Sequence, residues 1–176
     1  MATYKIDPAH SDVMFKVKHL MISTATGVFK KFDASLEINE EDFSQAKVTF
    51  EADIDSVDTK NEQRDEHLKG EEFFSADKFP KMTFTSTKIE SNGDNEYIVT
   101  GDLTIRDVTK PVDLKVEYNG STKDPWGQER MGFEISGKIN RKDFGLKWSA
   151  VTEAGGLVVA DDVKLAMNVE MVKQAA

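Results

Sequence analysis

Alternation restricts what this chain can become more than any other feature. Val48, Phe50, Ala52 and Ile54 share one face of KVTFEADID, and Val13, Phe15 and Val17 share one face of DVMFKVKH. Tyr97, Val99, Gly101, Leu103 and Ile105 repeat the pattern, as do Val112, Leu114, Val116 and Tyr118. Met131, Phe133, Ile135, Gly137 and Ile139 follow, then Val163, Leu165, Met167, Val169 and Met171. Apolar residues at every second position describe a strand with one dry face and one wet face.

With VFKKFDASLEI (28–38) and KMTFTSTKI (81–89) added, the reading gives about eight antiparallel strands, an all-β class that forms either a sandwich or a barrel. Several strands run to about ten residues, roughly 33 Å at strand rise, and long strands with an unbroken apolar face suit a deep tube. At about eight strands a barrel interior is either filled by side chains or wide enough for one ligand. ESNGDNE (90–96) carries an Asn-Gly hairpin signal, NEEDFSQ (39–45) a short acidic turn and NGSTKDPWG (119–127) a longer polar loop. The rhythm breaks once, over residues 59–79, where charges crowd together. A short helix capped by Asp58 or Thr59 and ended by Gly70 is expected there, followed by inward-pointing Phe73, Phe74 and Phe79. A lid over an opening and a plug in a core look alike at this level.

The 176 residues form one domain, 1–176. The absence of cysteine excludes disulfides, thiolate metal clusters and a cysteine nucleophile. A net charge of −9 with scattered Lys and Arg argues against nucleic acid and against docking on an anionic membrane. No apolar stretch reaches the roughly 20 residues of a membrane helix, so no membrane insertion is expected. MATYKIDPAH lacks the charged and apolar regions of a secretory signal, which gives an expectation of a cytoplasmic location.

Catalytic patterns are sparse. There is no G-x-S-x-G, no H-E-x-x-H and no Gly-rich phosphate loop. His10 follows Asp7 by three residues, a spacing for a turn-based Asp–His hydrogen bond, a general base or a head-group contact. His19 shares the face of Val13, Phe15 and Val17, either inside or at the rim, and His67 falls on a solvated helix face. No metal site, no cofactor and no acid/base pair among the many surface carboxylates stands out.

Six stretches taken together carry a resemblance: DPAHSDVMFKVKHLMIS (7–23), GVFKKFDASL (27–36), NEQRDEHLKGEEFFSADKFPKMTFTST (61–87), GDLTIRDVTKPVDLKV (101–116), INRKDFGL (139–146) and DDVKLAMNVE (161–170). In that order, over nearly the whole chain, they resemble the YceI-like family. The resemblance implies a lipocalin-like antiparallel barrel with a long interior channel, binding a long-chain amphiphile such as an isoprenoid quinone or polyprenyl phosphate, with no established catalysis. One departure is Asp107, in LTIRDVTKPV, where the family pattern has glycine; Asp tolerates positive φ better than most residues.

The inward faces then supply the lipid-binding candidates: Phe15, Val17, His19, Phe32, Leu36, Phe50, Ile54, Phe84, Leu103, Val116, Phe133, Ile135, Leu165 and Met167. Phe73 and Phe74 are candidates for the lid and Trp148 for the mouth, while His10, His19 and Arg141 are candidates for a polar head group. Each apolar candidate has ordinary core packing as its alternative, and Arg141 has a structural tie to a carboxylate. The leading expectation is a non-enzymatic carrier or sequestering protein for an isoprenoid or fatty-acyl lipid. The alternatives are a lipid-modifying enzyme using Asp7 and His10, and a solid-cored, stress-related interaction protein that dimerises through a strand edge.

Overall fold

The computed structural model of the chain describes residues 1–148 and 158–175. Its strands are β1 (Ala2–Ile6), β2 (Asp12–His19), β3 (Ser23–Phe29), β4 (Phe32–Asn39), β5 (Asp42–Asp53), β6 (Val57–Asp58), β7 (Lys81–Ser91), β8 (Glu96–Ile105), β9 (Val108–Lys123), β10 (Glu129–Asn140) and β11 (Val159–Lys173). One helix, α1 (Glu62–Lys69), interrupts them, and among the described residues no helix is long and apolar enough to cross a membrane.

All strand pairings are antiparallel. Eight strands close a ring in the order β1-β4-β5-β7-β8-β9-β10-β11 and back to β1, so of the sandwich and the barrel that the alternation left open, the barrel implied by the resemblance is what forms. The other three strands exist because long strands break. Pro8 starts a 3-10 turn (Pro8–His10) between β1 and β2, yet both strands lie along β11: β1 at Met171–Lys173 and β2 at Val159–Asn168. Proline has no N–H for a ladder and pre-sets φ for such a turn. A second 3-10 turn, Ile54–Ser56, separates β5 from β6, which pairs with β3.

The stretch 28–38, read from sequence as one strand, is two. Lys30 and Lys31 separate β3 from β4, so Phe29 and Phe32, three positions apart and on opposite faces of an unbroken strand, both turn inward. The break restores inward phase on both sides, and Phe29 is buried while the continuous reading placed it outside. The loop expected at 119–127 also shrinks. β9 runs through Lys123, and the turn is held by Asp124 Oδ1, which accepts from Trp126 N and Gln128 N at 2.9 Å each.

The excursion at 59–79 forms as expected, with one correction. Asn61, not Asp58 or Thr59, caps α1, its side chain accepting from Arg64 N at 3.0 Å. Thr59 instead donates from its N and Oγ1 to Asp65 Oδ1, which leaves it unable to act as the cap. Gly70 ends the helix, its N–H bonded to His67 O. α1 and the loop after it lie across one end of the barrel, hereafter the lid end, and Phe73 and Phe74 are buried there. Arg106 clamps this loop: its Nη1 donates to Glu71 O, Phe73 O and Gly145 O at 3.1, 3.0 and 3.3 Å. Arg106 also takes the positive φ, +57°, expected one residue later at Asp107.

Buried side chains form two groups. The larger spans the barrel and the lid and includes Phe29, Ile54, Phe73, Phe84, Leu103 and Phe144. The smaller closes the opposite end, the base, with Tyr4, Ile6, Leu36, Ile38, Met131 and Met171.

Candidate functional site: an apolar cavity inside the barrel

Between the two groups the interior is hollow. A cavity of about 240 Å³ runs along the barrel axis. Its middle is walled by Phe15, Val17, Phe133, Ile135, Leu165 and Met167; Phe29, Leu68, Phe73 and Phe74 wall the lid end and Leu36, Ile38 and Met171 the base. The wall is hydrocarbon and aromatic carbon almost throughout, and among the described residues Arg141 is the only charged one lining it.

The hollow depends on where small residues stand. Phe15 lies flat against Gly27 on the neighbouring strand: a Cβ there would sit 2.2 Å from Phe15 Cζ. Phe84 lies against Gly101 in the same way, with a Cβ placed 2.4 Å from its Cζ and 2.6 Å from Thr85 O. Each glycine lets a ring press onto the barrel wall, which leaves the axis open. Phe15 and Phe29 also stack, with centroids 5.6 Å apart, and Phe29 meets Phe74 of the lid edge-on at 6.1 Å.

Arg141 opens a 3-10 turn, Arg141–Phe144, that ends on Gly145 at φ +82°, a left-handed position glycine takes without strain. Its side chain is nearly inaccessible to solvent, and backbone carbonyls take its donors. Nη1 donates to Leu146 O and Trp148 O at 2.6 Å each, Nε to Ala160 O at 2.9 Å and Nη2 to Val159 O at 3.3 Å. The Asp161 carboxylate stands 3.7 Å away. Burial lowers its pKa, and the Asp161 charge opposes that effect. The tie expected from sequence therefore runs mainly to carbonyls instead of a carboxylate, and few donors remain for a ligand anion.

The structure brings together most of the sequence candidates. Phe15, Val17, Leu36, Phe50, Phe73, Phe84, Leu103, Val116, Phe133, Ile135, Leu165, Met167 and Arg141 all line the cavity. Five others do not. Ile54 is buried in the packed core beside the cavity, and Phe32 packs between the two buried groups. Trp148 packs at a tilt on Phe73 at 5.7 Å and edge-on against His67 at 5.1 Å. His19 ends β2 in a separate surface groove with Ser23 and Thr24. His10 is exposed on the outside of the barrel. His67 is exposed, as expected of a solvated helix face, with its ring edge-on against Phe73 at 5.0 Å and its Nε2 meeting Glu72 Oε2 at 2.5 Å.

Lining residues not singled out from sequence include Phe29, Phe43 and Tyr97. Phe29 was hidden by the phase break at Lys30–Lys31, and Phe43 by the acidic turn residues around it. Tyr97 carried the signal, as the first member of its alternating run.

Asp7, His10 and Glu170 converge on the outer surface where β1 passes into β2. Asp7 Oδ2 meets His10 Nδ1 at 2.9 Å and accepts from Arg130 Nη1 at 2.8 Å; Arg130 Nε donates to Asp124 Oδ2 at 2.8 Å. The Arg130 hydrogen bond, then that of His10, lowers the Asp7 pKa to about 2. Glu170 Oε1 is 3.7 Å from the same guanidinium, so Arg130 sits where a cation would. These side chains staple the β1–β2 break to β10 and β11, and none of them lines the cavity.

Comparison with known proteins agrees with this geometry. Protein YceI of Salmonella newport is 42% identical over 175 residues, covering 98% of this chain and 88% of its own. The crystal structure of BcnA from Burkholderia cenocepacia superposes with a TM-score of 0.83 at 26% identity, over 94% of this chain and 98% of that one. A polyisoprenoid binding domain from Saccharophagus degradans, implicated in plant cell wall breakdown, shares the fold at TM-score 0.73 and 14% identity, over 97% and 98% of the two chains. The family model for the YceI-like domain matches residues 4–171, and on that match and these likenesses the chain belongs to the YceI-like family.

Proposed function

We propose that this protein binds a long-chain isoprenoid, or a related amphiphilic lipid, by enclosing its tail in the barrel, and that it carries or sequesters this lipid without transforming it. The observation that supports this reading is the cavity itself: about 240 Å³ of continuous apolar space, in a chain otherwise ordinary in composition. Enclosing ten hydrocarbon groups yields about 8 kcal/mol gross, at about 0.8 kcal/mol per CH₂. Ordering the chain and fixing the complex consume part of that. The one charged group in the described wall, Arg141, has its donors taken by backbone carbonyls and offers little anchor for a head group inside, so a charged head remains outside the hollow. The polyisoprenoid-binding relative supports the isoprenoid class for the tail.

Asp7 and His10 stand outside the cavity, so they have no access to a tail held within it. A hollow interior also departs from a solid-cored interaction protein. The test is native mass spectrometry of freshly purified protein followed by solvent extraction. A long-chain species at about one per chain is expected, and its mass names the class. Clean protein that also refuses added isoprenoid quinone, polyprenyl phosphate and fatty amide refutes the proposal.

A further inference from the structure

A closed barrel needs a way in, and among the described residues both of its ends are covered by buried side chains. At the base, Tyr4, Ile38, Met131 and Met171 are each at most 4% exposed. At the lid end Phe73, Phe74 and Phe144 are buried, and Arg106 and Arg141 tie the covering loops to backbone carbonyls. The wall between β5 and β7 is different.

The β5–β7 ladder runs from Asp53↔Lys81 only to Thr49↔Thr85. β5 nevertheless begins at Asp42 and β7 continues to Ser91, so residues 42–48 and 86–91 face each other without a ladder. β7 is irregular here, its pairing with β8 shifting register between Ser86 and Lys88, and the Ser86 hydroxyl, accepting from Val48 N at 2.8 Å, is the last stitch between β5 and β7. Beyond it the seam is lined by Phe43 and Ala46 from one side and Ile89 and Tyr97 from the other. All four border the cavity and all four are half-buried. Phe43 holds it by two aromatic contacts: its ring lies 5.5 Å from that of Tyr97, joining the buried group of the base to that of the barrel, and meets Tyr118 edge-on at 5.1 Å.

We infer that this seam is the entrance of the barrel, through which a hydrocarbon chain passes sideways, with Phe43 on Tyr97 as its gate. The inference rests on the lipid-binding reading above and adds the route. Strands that lack hydrogen bonds to each other separate without breaking a ladder, and swinging one ring aside connects the cavity to solvent. Opening either end instead requires unpacking several buried aromatic or aliphatic side chains together. A lateral slot also suits a ligand whose head stays outside, since the tail enters the hollow while the head rests at the rim.

The test is stopped-flow uptake and release of an NBD-labelled geranylgeranyl probe by the intact chain. A gate changes both rates by a common factor and leaves their ratio alone, whereas a change in the pocket alters the ratio. Phe43→Ala is expected to speed uptake and release each by about fivefold or more, release by the larger factor because Phe43 also borders the cavity. Ala46→Phe, which thickens the seam, is expected to slow both. Arg106→Gln loosens the lid and is the control for entry at that end. The inference is overturned if Phe43→Ala leaves the rates unchanged, or if Arg106→Gln accelerates uptake more than Phe43→Ala does. Failure of the wild-type protein to take up the probe refutes the underlying lipid reading instead.

Discussion

Two glycines with the same apparent role should respond to alanine in opposite ways. At Gly27 the added Cβ meets Phe15 Cζ, Cε1 and Cε2 at 2.2, 2.6 and 2.8 Å, all of them the far end of one side chain. Carbon atoms rest about 3.5–4.0 Å apart, so the ring must retreat by roughly 1.3 Å or more. The only free space is the cavity. At Gly101 the added Cβ meets Phe84 Cζ at 2.4 Å and also Thr85 O at 2.6 Å, a backbone atom of a paired strand. That oxygen cannot retreat without breaking the β7–β8 ladder. Gly101→Ala is therefore expected to cost about 3 kcal/mol, the upper end for overpacking. Gly27→Ala is expected to cost under about 1 kcal/mol, because the reduced freedom of the unfolded chain, worth about 0.4–1 kcal/mol, offsets much of the ring shift. The displaced ring should instead be felt by the ligand. Losing room for about two CH₂ groups, at about 0.8 kcal/mol each, weakens binding roughly tenfold. Guanidinium melts and titration with the geranylgeranyl probe separate the two effects. Gly27→Ala that binds as tightly as wild type, or that loses as much stability as Gly101→Ala, refutes the account of how the hollow is kept open.

Three further outcomes follow from the same geometry. Arg141→Met removes the donors to four backbone carbonyls and should destabilise the fold by about 3 kcal/mol, at about 1–3 kcal/mol for each buried group left unpaired and with water reaching some of them; a urea midpoint equal to wild type contradicts this. Asp7 titrates at about 2 in the folded chain against an ordinary 3.8, so its contribution is complete above about pH 4 and is lost as pH falls toward 2. Asp7→Asn should therefore flatten the acid limb of thermal stability in that window and lower stability at neutral pH, and an unchanged acid limb would show that the staple contributes nothing. Phe73→Ala removes a ring packed between Trp148 and the cavity and should cost about 3–5 kcal/mol, read from the same melts, with weaker probe binding as its companion.

Alternation along the chain determined the class of fold, the inward face of nearly every strand and most of the cavity wall. This follows because a period of two puts Phe133, Ile135, Leu165 and Met167 on one side of a sheet in any register. A short helix ended by Gly70 was equally legible, since helix breaking is local chemistry, but its cap was not, because Thr59 is taken up by Asp65 and Asn61 caps instead. Positions decided by pairing between distant strands were not. Whether Phe29 faces inward depends on a phase break at Lys30–Lys31, which the β3–β6 and β4–β5 pairings impose. Whether Arg141 meets a ligand or a loop depends on carbonyls up to 19 residues away. Whether the interior is filled or hollow depends on Phe15 lying across Gly27 and Phe84 across Gly101, contacts between neighbouring strands that no periodicity encodes. The seam at β5–β7 is tertiary in the same sense: both strands carry sound strand sequences, and only their divergence around the closed ring leaves them unpaired.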